Sequence, residues 1–565
     1  MRNLISIQGI LLLLLCCVKS NLSHAQDKLN VLFIVSDDLT ATAISTYQNG
    51  ASVTPNIDKL ASEGVQFNNA YSQFPVCGPS RASFMSGYYP HAANVFGYTS
   101  GREAIGSSRQ TWPQLFKDNG YHSARVGKLF HMRVPKDIYQ GLNGEDDPIS
   151  WNERHNGQGP EFQASGEGEL VQNNPNGTKP IADGNVMTIV KADGTDVLPD
   201  QVTANKAIQL LKENKDKPFW LGVGFVRPHV PFVAPEEYFT PYPWSSIVFP
   251  PSYNDNLNDV PARGINYVTS QKAQMNTTQE RKAIAAYYAS VAFMDNQVGR
   301  VLDALKAEGL EDNTIVIFAS DHGFHLAEHR FWMKVSLKDE SSKVPLIIKV
   351  PGKPAAVCNS FVELVDLYPT VASLAGLEYS PHIQGKDLSP VFNNASYSVR
   401  DFAFSVSQDG KSFLLRNDQY ALILHEESGS KGRELYDIQE DPYQITNLAN
   451  KPEYLETRVA LATLLRAKLK EVRNNDITGY PDGVPLFISK ELKSNKAIKV
   501  YPNITSNILN VVGCEPNSPY TIYNLKGVVV KEGFLNNNSV SLKNMSNGLV
   551  FIKVNTVVNK VIVAK

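Results

Sequence analysis

Two short apolar runs, each closed by a polar cluster that opens with aspartate, constrain the fold more than anything else in the chain. Residues 29–35 read Leu-Asn-Val-Leu-Phe-Ile-Val and run into Ser36-Asp37-Asp38, while residues 315–319 read Ile-Val-Ile-Phe-Ala and run into Ser320-Asp321-His322-Gly323. Continuous apolar stretches rich in β-branched residues predict strands buried on both faces, as in parallel sheets covered by helices. A third such run, 219–225, ends close to Arg227-Pro228-His229. In an open α/β sheet, ligands sit beyond the carboxyl ends of the strands, so both acidic clusters are aimed at one crevice. The predicted fold class is α/β, with a large, mixed but mostly parallel sheet flanked by helices.

Three clustered carboxylates repel one another and require a cation between them. Hard oxygen donors favour Ca²⁺ or Mg²⁺ over zinc. Other candidate groups are scattered between and beyond these strands: Cys77-Gly78-Pro79-Ser80-Arg81, Lys128 and His131 in Gly-Lys-Leu-Phe-His, His229, and Lys334 in Phe-Trp-Met-Lys. Taken singly, Cys77 reads as a small buried thiol and the others as ordinary loop or surface residues. Lys128 and His131 lie three apart, a spacing that a turn brings to one side.

Further along, 285–305 has helical periodicity with Met294 and Val298 facing inward, and 362–375 predicts a short amphipathic helix. The Gly/Asn/Asp-rich stretch 141–196 predicts long surface loops. Three short antiparallel strands are expected at 402–407, 412–416 and 420–425, closed by 434–441 and followed by a helix over 452–472.

The ends of the chain differ from its body. Arg2, an apolar stretch over 10–18 and Ser23-His24-Ala25 predict a secretory signal over 1–25, with an apolar run too short to span a bilayer. Leu15 before Cys16 argues against a lipid anchor at Cys16 or Cys17. Of the five cysteines, Cys77, Cys358 and Cys514 remain in the exported chain, which is no disulfide framework. From Lys496 onward the composition changes to short β-type runs punctuated by Gly and Asn, with eight Lys against two Glu. The whole chain carries −2, so the body over 26–495 is strongly acidic. A body of that charge is not built for broad attraction to nucleic acid or another polyanion.

The run Cys77-Gly78-Pro79-Ser80-Arg81, followed by Ser86-Gly87, resembles the C-x-P-S-R signature of the sulfatases, in which the cysteine is oxidised to formylglycine (3-oxoalanine) by a dedicated maturation enzyme. The order of the other motifs matches that family from about 30 to 350, and the Asp321-His322 pair with Gly127–His131 resembles its iduronate-2-sulfatase branch; many sulfatases carry Asn where this chain has His322. The resemblance implies an alkaline-phosphatase-like sulfatase fold with a catalytic domain over 26–360, a C-terminal subdomain over 361–480 with an antiparallel sheet, and a linker over 481–495. Residues 496–565 resemble the all-β sorting domain of the type IX secretion pathway, with a carbohydrate-binding module as the alternative.

By the same resemblance, Asp37, Asp38, Asp321, His322 and the modified Cys77 surround one Ca²⁺. Formylglycine hydrate is the nucleophile and Asp321 its proton acceptor; Arg81, Lys128 and Lys334 supply positive charge, Arg81 also orienting the hydrate. His229 protonates the departing sugar oxygen, and His131 accepts the proton that frees inorganic sulfate. The expected function is an exported bacterial sulfatase acting on a sulfated carbohydrate, an algal polysaccharide such as ulvan first and a glycosaminoglycan uronate 2-sulfate second. A phosphodiester or phosphonate hydrolase and a non-catalytic binder of sulfated glycans are the alternatives. Expected partners are the sulfated carbohydrate, the maturation enzyme and the secretion machinery, with no nucleic acid and no transmembrane segment.

Overall fold

The strand Asn30–Asp37 is buried along its whole length and lies at the centre of the main sheet, in parallel register with Thr314–Ser320 on one side and Phe219–Pro228 on the other. The computed structural model describes residues 28–48, 51–170, 187–473 and, in separate stretches, 499–563. The expected leader over 1–25 with Cys16 and Cys17, the linker over 481–495, and Cys514 lie outside the described residues.

The strand order is Lys343–Val344, Val65–Tyr71, Leu346–Lys349, Thr314–Ser320, Asn30–Asp37, Phe219–Pro228, His122–Gly127 and Glu153–His155, with Ala356–Glu363 also pairing Val65–Tyr71. Leu346–Lys349 runs antiparallel to both its neighbours, while the strands from Thr314–Ser320 to Glu153–His155 are mutually parallel. Alternate residues of the central strand feed two cores. Leu32 and Ile34 share one with Met294 and Val298 of the helix Thr277–Ala307, which the Asn276 side chain caps by accepting from the Thr278 and Gln279 amides. Val31, Phe33 and Val35 enter the other, where Phe33, Trp112 and Trp220 meet at ring separations of 4.9–6.3 Å. Burying each such side chain stabilises the fold by roughly 1.5–3 kcal/mol.

The chain splits into two compact units, Met1–Tyr480 and Pro481–Lys565. Within the first, Phe402–Ser407, Ser412–Asn417, Tyr420–His425 and Arg433–Asp437 form an antiparallel sheet, and the helix Leu455–Arg473 contributes Leu461, Leu465 and Leu469 to their shared core. The second unit holds a three-stranded and a five-stranded sheet around Leu509, Ile522, Ile552 and Val561.

Two expectations need correction. The helix expected over 362–375 is the strand Ala356–Glu363, a short 3-10 turn and the helix Leu367–Leu374. Parallel pairing of Phe361, Val362 and Glu363 with Asn69, Ala70 and Tyr71 claims the first residues for the sheet. The stretch 141–196 is more than loops: Glu153–His155 forms an edge of the main sheet, and Gly166–Leu170 pairs with Thr188–Ala192. The Gly-Glu-Gly-Glu-Leu composition of one strand and the half-exposed edge position of another mask the usual apolar signal.

Candidate active site

The register of the central strands sets the site. Ser36 pairs with Ser320, so Asp37, Asp38 and Asp321 leave adjacent carboxyl ends together, and carboxylate oxygens of all three fall within 4.8 Å of one another. Asp38 adopts the left-handed region at φ 65°, an uncommon conformation for a residue with a side chain. It is held there from two sides. Its amide donates to Asp321 Oδ1 at 3.1 Å, and its carbonyl accepts from the Tyr287 hydroxyl at 2.7 Å.

Cys77 opens the helix Cys77–Ser86, all ten residues of which are buried, and its N-terminus points at the carboxylates. Gly78 is required by packing, because a Cβ there would stand 2.4 Å from the Gly97 carbonyl oxygen. Cys77 Sγ lies 3.3 Å from Lys334 Nζ, 3.2 Å from His322 Nε2 and 3.8 Å from Asp38 Oδ1. That sulfur marks the position from which the formylglycine oxygens would project. Burial and Asp37 push the thiol up, but Lys334 and Lys128 outweigh them and bring it below its ordinary range.

The buried cations divide into two groups. Arg81 donates from Nε to Asp321 Oδ2 at 2.9 Å, from Nη2 to Asp37 Oδ1 at 3.0 Å, and from Nη1 to the carbonyls of Lys128 and Leu129. It therefore locks two carboxylates in place from behind. Lys128 bonds Asp37, and Lys334 reaches both Asp38 oxygens at 2.7 and 2.9 Å. Burial raises the Asp37 carboxyl, but Lys128 and Arg81 outweigh it and hold the group well below the usual carboxylate range. At Asp38 burial wins over Lys334, and the carboxyl is pushed up to about 7.

Lys128 follows Gly127, which has φ 74° and no room for a side chain: a Cβ would meet the Gly224 carbonyl oxygen at 2.1 Å. Glycines on two neighbouring strands thus let the Lys128 backbone turn into the crevice, bonded to Gly224 O at 2.9 Å.

Three histidines border the centre. His322 has Nδ1 2.9 Å from the Gly323 carbonyl, which fixes a proton on Nδ1 and turns Nε2 toward Cys77, Asp38 and Asp321. Burial alone would keep this imidazole neutral, but Asp321, Cys77 and Asp38 push it up to about 9. Three carboxylates with oxygens within 4.8 Å of one another, and an imidazole nitrogen 3.3 Å from Asp38 and 3.7 Å from Asp321, are a donor set that fits a hard divalent ion. His229 similarly contacts the Val230 carbonyl through Nδ1 and presents Nε2 3.7 Å from Asp38; burial and the Lys334 charge hold it well below the usual histidine range. His131 packs against Tyr98 at 5.2 Å, its Nδ1 has no partner among the described residues, and burial and Lys128 push it down to about 3.

The structure brings nine of the ten expected residues into one contact network, and His131 borders it, close enough to feel the charge of Lys128. Sequence reasoning missed their supports. Tyr287 sits on a helix face that reads only as core. Arg227, expected merely as part of a motif, has its amide capped by Asp200 and spends its guanidinium on Glu161 and on the carbonyls of His229 and Pro231, which shapes the turn carrying His229. Glu161 lies in the stretch expected as loop, where no periodicity announces it.

Residues 29–377 match the family model described as Sulfatase, and 327–475 match N-sulphoglucosamine sulphohydrolase, C-terminal. A sulfatase of Formosa agariphila is 31% identical over 85% of this chain and 95% of its own length. Human iduronate 2-sulfatase is 31% identical over 77% of this chain and 80% of its own. Among solved structures, the phosphonate monoester hydrolase of Agrobacterium radiobacter superposes with a TM-score of 0.64 at 23% identity, covering 79% of this chain and 96% of that one, a likeness of fold. A family model that spans more than half of the residues, among them the Cys77 helix and the three strand-end carboxylates, places the chain in the sulfatase family, hydrolases of sulfuric esters.

Proposed function

We propose that this protein is an exported sulfatase that cleaves sulfate esters of a sulfated carbohydrate, with Cys77 matured to formylglycine and one calcium ion at Asp37, Asp38, Asp321, His322 and the modified Cys77. The observation that carries this reading is Cys77 at the start of a buried helix, within 3.3 Å of both Lys334 and His322 and beside three carboxylates. Bound calcium would draw charge from the sulfate oxygens, and the aldehyde hydrate would supply a nucleophilic hydroxyl and a second hydroxyl for release of sulfate.

The chain's own residues do the rest. Lys128 and Lys334 hold positive charge where sulfate oxygens must sit, which matters because those oxygens otherwise repel a nucleophile. Arg81 keeps Asp37 and Asp321 in position. His229 is the donor to the departing sugar oxygen; its Nε2 is an acceptor in the free protein, and the negative charge of bound substrate raises its hold on the proton it must deliver. His131 has Nδ1 without a partner among the described residues and takes the proton that frees sulfate, the negative charge of the sulfate offsetting the burial and Lys128 charge that otherwise hold it down.

Of the substrate classes, a polysaccharide such as ulvan stands first, and the similarity to human iduronate 2-sulfatase favours a glycosaminoglycan uronate 2-sulfate as the second. The same reading has residues 1–25 as a leader, 496–565 as a sorting domain for type IX secretion, and a maturation enzyme acting on Cys77. Among the described residues, no helix is long and apolar enough to cross a membrane. The test is sulfate release across defined sulfated oligosaccharides, paired with peptide mass at Cys77. Aldehyde and sulfate release support it; turnover of a phosphonate ester with none of a sulfate ester favours the alternative that the shared fold permits.

A further inference from the structure

The reaction centre is closed on nearly every side: Cys77 is fully buried, and His131, His229 and Lys334 are each no more than 6% exposed. A centre this closed leaves whatever lies beyond the ester oxygen of a glycan to sit outside it. One residue beyond Lys334, Val335 forms part of the wall of a separate cavity of ≈ 150 Å³, between the segments 263–267 and 335–338 and the antiparallel sheet. Val335 adopts φ 83°, rare for a β-branched residue, and is pinned by its amide to Pro75 O at 3.0 Å and at its carbonyl by the Ser407 hydroxyl. Tyr267, 40% exposed and donating to Met333 Sδ at 3.3 Å, is a second shared wall. The cavity thus opens next to the place where the sulfated sugar must sit.

Its hydrogen-bonding account is lopsided. Lys338 lines it at 1% exposure, and its ammonium has one acceptor among the described residues, Gln444 O at 2.8 Å, besides the Tyr436 ring face at 4.0 Å. Arg263 at the rim spends Nε on Gln408 and Nη1 on Glu426, and Nη2 has no partner among the described residues. The acid in the wall, Glu434, is already spent: one oxygen accepts from His425 at 2.9 Å and the other from Tyr436 at 2.6 Å. A buried ammonium with a single acceptor and a partly exposed guanidinium, beside an acid whose two oxygens are already engaged, favour an incoming anion.

We propose that this cavity is a subsite for an anionic group, carboxylate or sulfate, on the sugar next to the one being desulfated, with Arg263 and Lys338 as its receptors and Tyr267 as the surface on which the intervening ring rests. The volume suits such a head group with a few waters, each occupying about 30 Å³. A polymer made of alternating charged sugars would satisfy both sites at once, which a simple monosaccharide sulfate would not.

This inference rests on the sulfatase reading, and the experiment separates the two. The mature enzyme is given three disaccharides sulfated identically on the first sugar, with a second sugar that is neutral, carboxylated or sulfated. The expected kcat/KM for at least one anionic partner exceeds the neutral one by about tenfold or more, the size of one charge-assisted hydrogen bond, with the difference carried by KM. Arg263→Gln should collapse that ratio and Arg263→Lys should retain part of it; whichever anionic arm is preferred identifies the group. Equal kcat/KM on all three, or an undiminished ratio in Arg263→Gln, overturns the subsite, whereas no sulfate release from any of them refutes the sulfatase reading itself.

Discussion

Tyr287→Phe isolates how the fold holds Asp38 in place. The phenol is fully buried; its hydroxyl donates to Asp38 O at 2.7 Å and accepts from the Thr40 amide at 2.9 Å. Phe keeps the ring contacts with Phe232 and Phe324 at 5.9 and 5.3 Å, so the change removes one oxygen and little packing. It leaves a buried N–H and a buried C=O unpaired, each costing about 1–2 kcal/mol, or roughly 2–4 kcal/mol together. Part of that cost is escaped if Asp38 leaves its left-handed conformation, which itself costs about 1–2 kcal/mol, and then its carboxylate no longer faces Asp321. At about 2 cal/mol/K per residue of unfolding entropy, a unit of this size should melt only some 2–4 °C lower. The sharper readout is calcium. Thermal unfolding with chelator and with calcium should show a smaller metal-induced rise in the Phe variant, and a calcium titration a weaker affinity. A variant whose melting temperature and calcium-induced rise both equal the wild type would refute the reasoning.

Four further outcomes are expected. Cys77→Ala should abolish sulfate release with circular dichroism and melting temperature near wild type; retained turnover would sink the assigned nucleophile. Gly127→Ala forces a side chain into φ 74° and against Gly224 O, so denaturant unfolding should show a loss of at least about 2 kcal/mol together with lost activity through Lys128. Arg227→Met removes the hydrogen bonds that shape the His229 turn and leaves Glu161 buried without its partner; kcat should fall more than KM rises, alongside destabilisation of about 3–5 kcal/mol in unfolding assays. Glu340 has a carboxyl that burial and Glu328 push up to about 8, so the unfolded chain releases its proton at lower pH than the folded one. Wild-type stability should therefore decline relative to Glu340→Gln between about pH 5 and 8, and parallel melting curves across that range would count against it.

How much could be read without coordinates depended on the range of the forces involved. The central strands were legible because uninterrupted apolar runs such as 31–35 and 315–319 are buried whatever packs on them, and their polar ends follow from where a parallel sheet meets solvent. The helix Thr277–Ala307 was legible for the same reason, its periodicity being local. The boundary at Glu363 was not, since Val362 suits a helix or a strand and only pairing with Ala70 decides. The strands within 141–196 were hidden because edge strands need little apolar surface.

The candidate site divides along the same line. Sequence alone determined the residue types and their order: two acidic strand ends, a Cys-Gly-Pro-Ser-Arg run, and the lysines and histidines that follow. Only tertiary structure decided how they are held, because the supporting contacts join residues far apart in the chain. Arg81 reaches carboxylates 44 and 240 positions away, and Tyr287 bonds the backbone 249 positions before it. It also decided that Lys338 and Arg263 meet at one cavity beside Val335, a juxtaposition that no spacing encodes, since it exists only where the antiparallel sheet closes against the loops of the larger one.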